Sequence, residues 1–203
     1  PQGEKVLLEA LEGYYHSCGY DSLSKEDIIV TVGGSEALAM AMYAVSDDHD
    51  EILVPEPFFA NYSIIAELQN VKLIPIPTDI KDGFRLPKKE KIESLFTKRT
   101  KAILYSSPGN PTGTTYNKKE IEMLLDLCSA HGSYLISDEV YREFIFSDED
   151  HVSLASYMDK YPKNIIMLDS FSKRYNLCGA RLGMFVTKDK EVLDIVLRIA
   201  NSR

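Results

Sequence analysis

The run "DSFSKRYNLCGARLG" (169–183) sets an amine, two hydroxyls and a guanidinium beside the end of an apolar stretch, "NIIMLDS" (164–170). Lys173 there has three open uses: a solvated surface charge, a phosphate ligand, or, once desolvated, a nucleophile for a carbonyl. Ser170, Ser172 and Arg181 have the chemistry of a phosphate clamp, because hydroxyls and a fork of N–H donors suit an oxyanion. Arg181 lies between Gly179 and Gly183, which fits either close backbone approach or plain turn chemistry.

Further groups of the same kind follow other apolar runs. "GGSEALAMAMYAV" brings Gly34, Ser35 and Glu36 to the start of a helical pattern. That is either a phosphate site built from backbone N–H groups and the helix dipole, or an ordinary turn with Ser35 as N-cap. "EPFFANY" offers Phe58, Phe59 and Tyr62 as core aromatics or as a flat face for a planar ligand. "SPGNPTG" (107–113) holds Asn110 between prolines and glycines, a rigid backbone suited to aiming a side chain. "SDEVY" (137–141) sets Asp138 at a strand end, where a partly desolvated carboxylate seeks a cation. Its alternative role is to cap a short helix, and such a helix would turn Asp138 and Tyr141 toward one side.

The elements that must carry these groups alternate along the chain. Seven short apolar runs read as strands: 27–32, 51–55, 71–77, 101–107, 134–138, 164–170 and 183–187. Helical patterns lie between them, most clearly 117–132, with Ile121, Leu124, Leu125 and Cys128 on one stripe, Asn117 and Glu120 as a capping pair and Gly132 as C-cap. The alternation predicts a three-layer α/β/α fold around a mostly parallel seven-stranded sheet. Ligands of such sheets bind beyond the carboxyl ends of the strands, where every group named above falls.

Bulk properties narrow the class. The 203 residues, 44% hydrophobic and 27% charged, suffice for one large domain, and no linker or repeat divides them. A net charge of −8 leaves no electrostatic footprint for nucleic acid or an anionic membrane surface. Cys18, Cys128 and Cys178 form no metal-ligand pair and no disulfide framework, which points to a cytoplasmic setting and no metal. "ALAMAMYAV" is too short to span a bilayer. The chain opens on "PQGEKVLLEALEGYY" and closes on "VLRIANSR", both helical in pattern, so it is expected to be a domain of a longer protein.

"SPGNPTG", "SDEVY" and "SFSKRYNLCGARLG", in that order and spacing, resemble the signatures of class I/II aminotransferases, fold type I enzymes of pyridoxal 5′-phosphate. The resemblance implies that residues 1–203 form the cofactor-binding large domain of an aspartate aminotransferase-like protein. Lys173 would form the Schiff base with the cofactor and shuttle the substrate Cα proton. Asp138 would pair with the pyridine nitrogen, Tyr141 and Asn110 with the ring oxygen, and Phe59 would stack on the ring. Gly34, Ser35 and Glu36 through their backbone, with Ser170, Ser172 and Arg181, would hold the phosphate. The resemblance further implies amino acid and 2-oxo acid substrates, aspartate or an aromatic residue as donor, and a homodimer. The arginine for the substrate carboxylate would belong to a small domain outside the chain. Two other functions use the same apparatus: a pyridoxal-phosphate lyase acting on C–S or related bonds, and an aminotransferase-like sensing domain of a transcriptional regulator.

Overall fold

The computed structural model describes residues 2–146 and 150–202. Seven strands form one sheet: β1 (Ile28–Val32), β2 (Glu51–Glu56), β3 (Lys72–Pro77), β4 (Thr100–Ser106), β5 (Tyr134–Asp138), β6 (Ile165–Ser170) and β7 (Leu182–Val186). The order across the sheet is β1-β7-β6-β5-β4-β2-β3. Every pairing is parallel except those of β7, which runs antiparallel to both β1 and β6. The helices are α1 (Lys5–Ser17), α2 (Gly34–Val45), α3 (Asn61–Leu68), α4 (Lys89–Glu93), α5 (Lys118–His131), α6 (Phe171–Arg174) and α7 (Lys190–Ala200). Each expected strand is present, with ends shifted by a residue or so.

Strand side chains alternate between two buried clusters, which is why the sheet needs a helical layer on each face. Ile28, Ile103, Leu135 and Ile165 face Leu11 and Tyr15 of α1 and Ile121 and Leu124 of α5. Their chain neighbours Ile29, Leu104, Ile136 and Ile166 face α2, α3 and α7 through Ala37, Tyr62 and Val196. The α5 boundaries follow from its caps. Asn117 accepts from Glu120 N and the Glu120 carboxylate accepts from Asn117 N, while Gly132 closes the helix in the left-handed region at φ 63°.

The register brings the strand ends together. Ser106 pairs with Asp138, Asp138 with Leu168, and Ser170 with Gly183. Because β7 is antiparallel, its first residues, not its last, lie at this edge, so Arg181 joins the groups that follow β1, β5 and β6. Gly183 is required there. A Cβ on it would stand 2.4 Å from the carbonyl carbon of Gly33. The close-approach reading therefore holds for Gly183, whereas a Cβ on Gly179 would meet nothing within 4 Å.

Candidate active site

A cavity of about 290 Å³ opens at the carboxyl edge of the sheet. Gly34, Ser35, Phe59, Asn110, Asp138, Tyr141, Ser170, Ser172, Lys173 and Arg181 all line it. Of the residues the resemblance assigns, only Glu36 stays out of the lining, and of the three aromatics offered as a ligand face only Phe59 reaches it. The Glu36 carboxylate turns back to accept from Val32 N at 2.6 Å.

Beside β1, Gly33 is the N-cap of α2 at φ 79°, and no side chain caps the helix. Ser35 lies inside the first turn, so its reading as N-cap is corrected: the cap must take a positive φ, which glycine adopts without strain. The uncapped helix start and its positive dipole end face the cavity through Gly34 and Ser35. A Cβ on Gly33 would fall 2.3 Å from Arg181 Nη2, so the missing side chain is what admits the guanidinium. Arg181 itself sits at φ 53° and donates through Nη1 to Cys178 O at 2.9 Å. Ser170 Oγ lies 2.9 Å from Ser172 Oγ, 3.0 Å from Leu182 O, and accepts from Ser172 N at 3.1 Å. Helix start, two hydroxyls and guanidinium thus meet at one corner whose donors suit an anion.

Asp138, at the end of β5, lines the cavity as well. No helix follows β5 among the described residues; Glu139–Glu143 form turns, with Arg142 N donating to Glu139 O at 2.9 Å. The alternative of Asp138 as a helix cap therefore falls, yet the turn still brings Tyr141 to the same cavity. Burial pushes the Asp138 carboxyl up to about 6, against the hydrogen bonds from Tyr62 and the Val140 N–H that favour its charge. Among the described residues it has no ion-pair partner. Tyr62 donates to Asp138 Oδ2 at 2.7 Å and is fully buried, so it takes the core place of the two offered for it and supports the carboxylate. Phe58, partly buried, stacks parallel on Tyr62 against the core, whereas Phe59, 38% exposed, lines the cavity. That settles which of the two aromatics is available to a ligand.

Lys173 is exposed on α6, with Nζ 5.8 Å from the centre of the Tyr141 ring. Asn110 comes from the loop after β4, braced by Gly109 N donating to Thr114 O at 2.8 Å and Gly113 N to Gly109 O at 2.7 Å. The reading of isolated motifs missed Leu38, Asn61, Val140 and Cys178, which also line the cavity. Asn61 follows directly on the "EPFFA" turn and Cys178 lies within the lysine motif, so both were near signals already noted.

One cavity thus gathers an aromatic ring, two hydroxyls with a guanidinium, a carboxylate without an ion-pair partner among the described residues, and an amine. Comparison with known proteins gives the family. The family described as aminotransferase class I and II matches residues 1–202, and the chain belongs to it. It is 35% identical over 176 residues to a probable aspartate aminotransferase of Methanocaldococcus jannaschii, covering 86% of this chain and 45% of that protein. It is 31% identical to the aspartate/prephenate aminotransferase of Thermus thermophilus, covering 99% of this chain and 51% of that one. Among solved structures, an aromatic aminotransferase from Pyrococcus horikoshii superposes with a TM-score of 0.87 at 31% identity, over 99% of this chain and 54% of that chain. The chain spans about half the length of these relatives.

The family is one of pyridoxal-phosphate enzymes, and the residues present fit that cofactor. The cradle at Gly33, which a Cβ would fill, admits the arginine of the anion corner. The Asp138 carboxyl lacks the cation that a protonated pyridine would supply.

Proposed function

We propose that the protein carrying this chain transfers an amino group between an L-amino acid, aspartate or an aromatic one, and a 2-oxo acid, with residues 1–203 as the large cofactor domain. The observation that carries the reading is Asp138, partly buried and without a cation among the described residues, lining the same cavity as the Lys173 amine. Bound there, pyridoxal phosphate supplies an aldehyde that captures amines and a ring that withdraws electrons from the substrate Cα.

The roles of this chain's groups follow from their chemistry. Arg181, Ser170 and Ser172, with the backbone of Gly34, Ser35 and Glu36, hold the phosphate at the start of α2. Asp138, kept in place by Tyr62, accepts from the ring N–H and keeps that proton on the nitrogen. Tyr141 and Asn110 donate to the ring oxygen, and Phe59 covers one ring face. Lys173 Nζ holds the cofactor before substrate arrives, then takes up and returns the proton at the substrate Cα. Homology to aminotransferases also supports a homodimer working in the cytoplasm. The exposed Tyr43, Ile64 and Leu68 on α2 and α3 are apolar surface such an assembly would cover.

The test incubates the full-length protein with pyridoxal phosphate, an L-amino acid and 2-oxoglutarate. Glutamate should form, and Lys173→Ala should lower the rate by at least about 10³-fold. Pyruvate and ammonia in place of glutamate would replace transfer by elimination.

A further inference from the structure

Behind the active-site edge lies a chain of buried charges that the reaction above does not use. Asp169, wholly buried, is bonded to Arg174 Nη2 at 2.6 Å, and the Arg174 side chain is only 5% exposed. Asp169 Oδ2 also accepts from Tyr15 of α1 at 3.2 Å, and its Oδ1 from Ser170 N at 2.7 Å. The Arg174 guanidinium stacks on the Tyr14 ring, 4.4 Å from its centre. A second buried arginine, Arg142, lies 5.7 Å from the Tyr15 ring centre and pairs with Glu139 at 3.6 Å.

Burying such groups is costly, and a buried ion pair is by itself weak support for stability. Its position is what makes it informative. Lys173 stands on α6, a single turn of four residues, and isolated helices that short do not hold themselves. Residues 175–180 that follow are all exposed. Among the side chains of α6, Arg174 is the buried charge, and it is the immediate neighbour of the exposed Lys173. The direction in which Lys173 leaves the backbone is therefore tied to where Arg174 is held.

We propose that Arg174 and Asp169 are positioning residues for Lys173: the ion pair, clamped against Tyr14 and Tyr15, fixes the turn that aims the Lys173 amine into the cavity. The inference rests on the cofactor reading given above. Removing both charges together as D169N/R174M leaves no buried charge unpaired, so the fold can survive the loss of the clamp. R174K keeps a charge against Asp169 and serves as the conservative rescue.

The experiment mixes full-length protein with pyridoxal phosphate and follows the bond between Lys173 Nζ and the aldehyde carbon, which forms with loss of water. Borohydride fixes the bond, and peptide mass mapping locates it. Circular dichroism confirms folding in each case. Wild type should be labelled at Lys173. D169N/R174M should label about tenfold more slowly and with an altered visible absorbance of the bound cofactor, and R174K should return to within about threefold of wild type. Labelling of a folded D169N/R174M at the wild-type rate, with unchanged absorbance, overturns the proposal. If that variant does not fold, R174K decides: a rate equal to that of an R174M single variant means the charge pair does not aim the lysine. Failure of wild type to label Lys173 instead sinks the cofactor reading beneath it.

Discussion

Asp138, the proposed acceptor for the ring N–H, is a carboxylate held at a cost to stability. Its carboxyl is raised from 3.8 to about 6 by burial, with the charges of Asp169 and Glu139 adding to the effect. Below pH 3.8 both folded and unfolded chains hold the proton. Between 3.8 and about 6 only the folded chain holds it, so this group's contribution to stability falls as pH rises through that window. Above it the folded state carries the full cost of a poorly solvated charge. The cofactor-free Asp138→Asn variant should therefore be more stable than wild type at pH 7.5, by about 1 kcal/mol after allowance for partial exposure, with the gap closing near pH 4. It should also bind pyridoxal phosphate at least tenfold more weakly, because the ring N–H loses an anionic acceptor. Urea unfolding at the two pH values and a cofactor titration measure the two effects. A variant less stable than wild type at pH 7.5 would show that the Tyr62 and Val140 hydrogen bonds outweigh desolvation. Tyr62→Phe isolates the hydroxyl. It should push the Asp138 carboxyl above 6, read as an upward shift in the same pH window.

At the scale of elements, the site depends on how closely β7 and the start of α2 approach. Gly183 faces the Gly33 backbone so tightly that an added Cβ would also stand 2.7 Å from Gly34 N. Backbone, unlike the end of a flexible side chain, cannot swing aside. Gly183→Ala should cost on the order of 1–3 kcal/mol and loosen phosphate binding, because the shift moves the helix start and Arg181 together. Thermal unfolding with and without pyridoxal phosphate checks it, the expected sign being a smaller stabilisation by cofactor than in wild type. Much of this architecture was legible beforehand. The strands are short β-branched runs such as "DIIVTV", and the ends of α5 are set by Asn117, Glu120 and Gly132, whose chemistry is local. Groups that follow parallel strands share one edge of the sheet, so most of the cavity lining could be assembled from the motifs, Leu38, Asn61, Val140 and Cys178 excepted. What stayed hidden depends on distant partners. Tyr62 reaches Asp138 across 76 positions and Tyr15 reaches Asp169 across 154, and neither pairing leaves a local signature. The turn that stands where a helix was the alternative after Asp138 has a related reason. Glu139 is committed to the buried pair with Arg142 and to His151 at 2.9 Å, contacts that a turn satisfies.

For the whole molecule, the proposed function makes holding the cofactor and gripping the substrate separable tasks. Among the described residues that line the cavity, the cations are Lys173 and Arg181. In the proposed function the first is kept as the amine that carries the Cα proton, and the second is assigned to the phosphate beside α2. An amino acid's α-carboxylate thus finds no third cation in this lining, and the chain spans about half the length of the aminotransferases it matches. Placing the carboxylate clamp in the remainder of the protein predicts a clean division. The 203-residue chain, once circular dichroism shows it folded, should still bond pyridoxal phosphate at Lys173 at a rate within about tenfold of the full-length protein. On addition of an amino acid, the single-turnover loss of the bound cofactor's absorbance should be slower by on the order of 100-fold or more. A charge-assisted carboxylate contact is worth roughly 1.5–3 kcal/mol, and the orientation lost with it adds to that figure. Equal single-turnover rates in the two proteins would place the carboxylate grip within residues 1–203 and reassign Arg181 from phosphate to substrate.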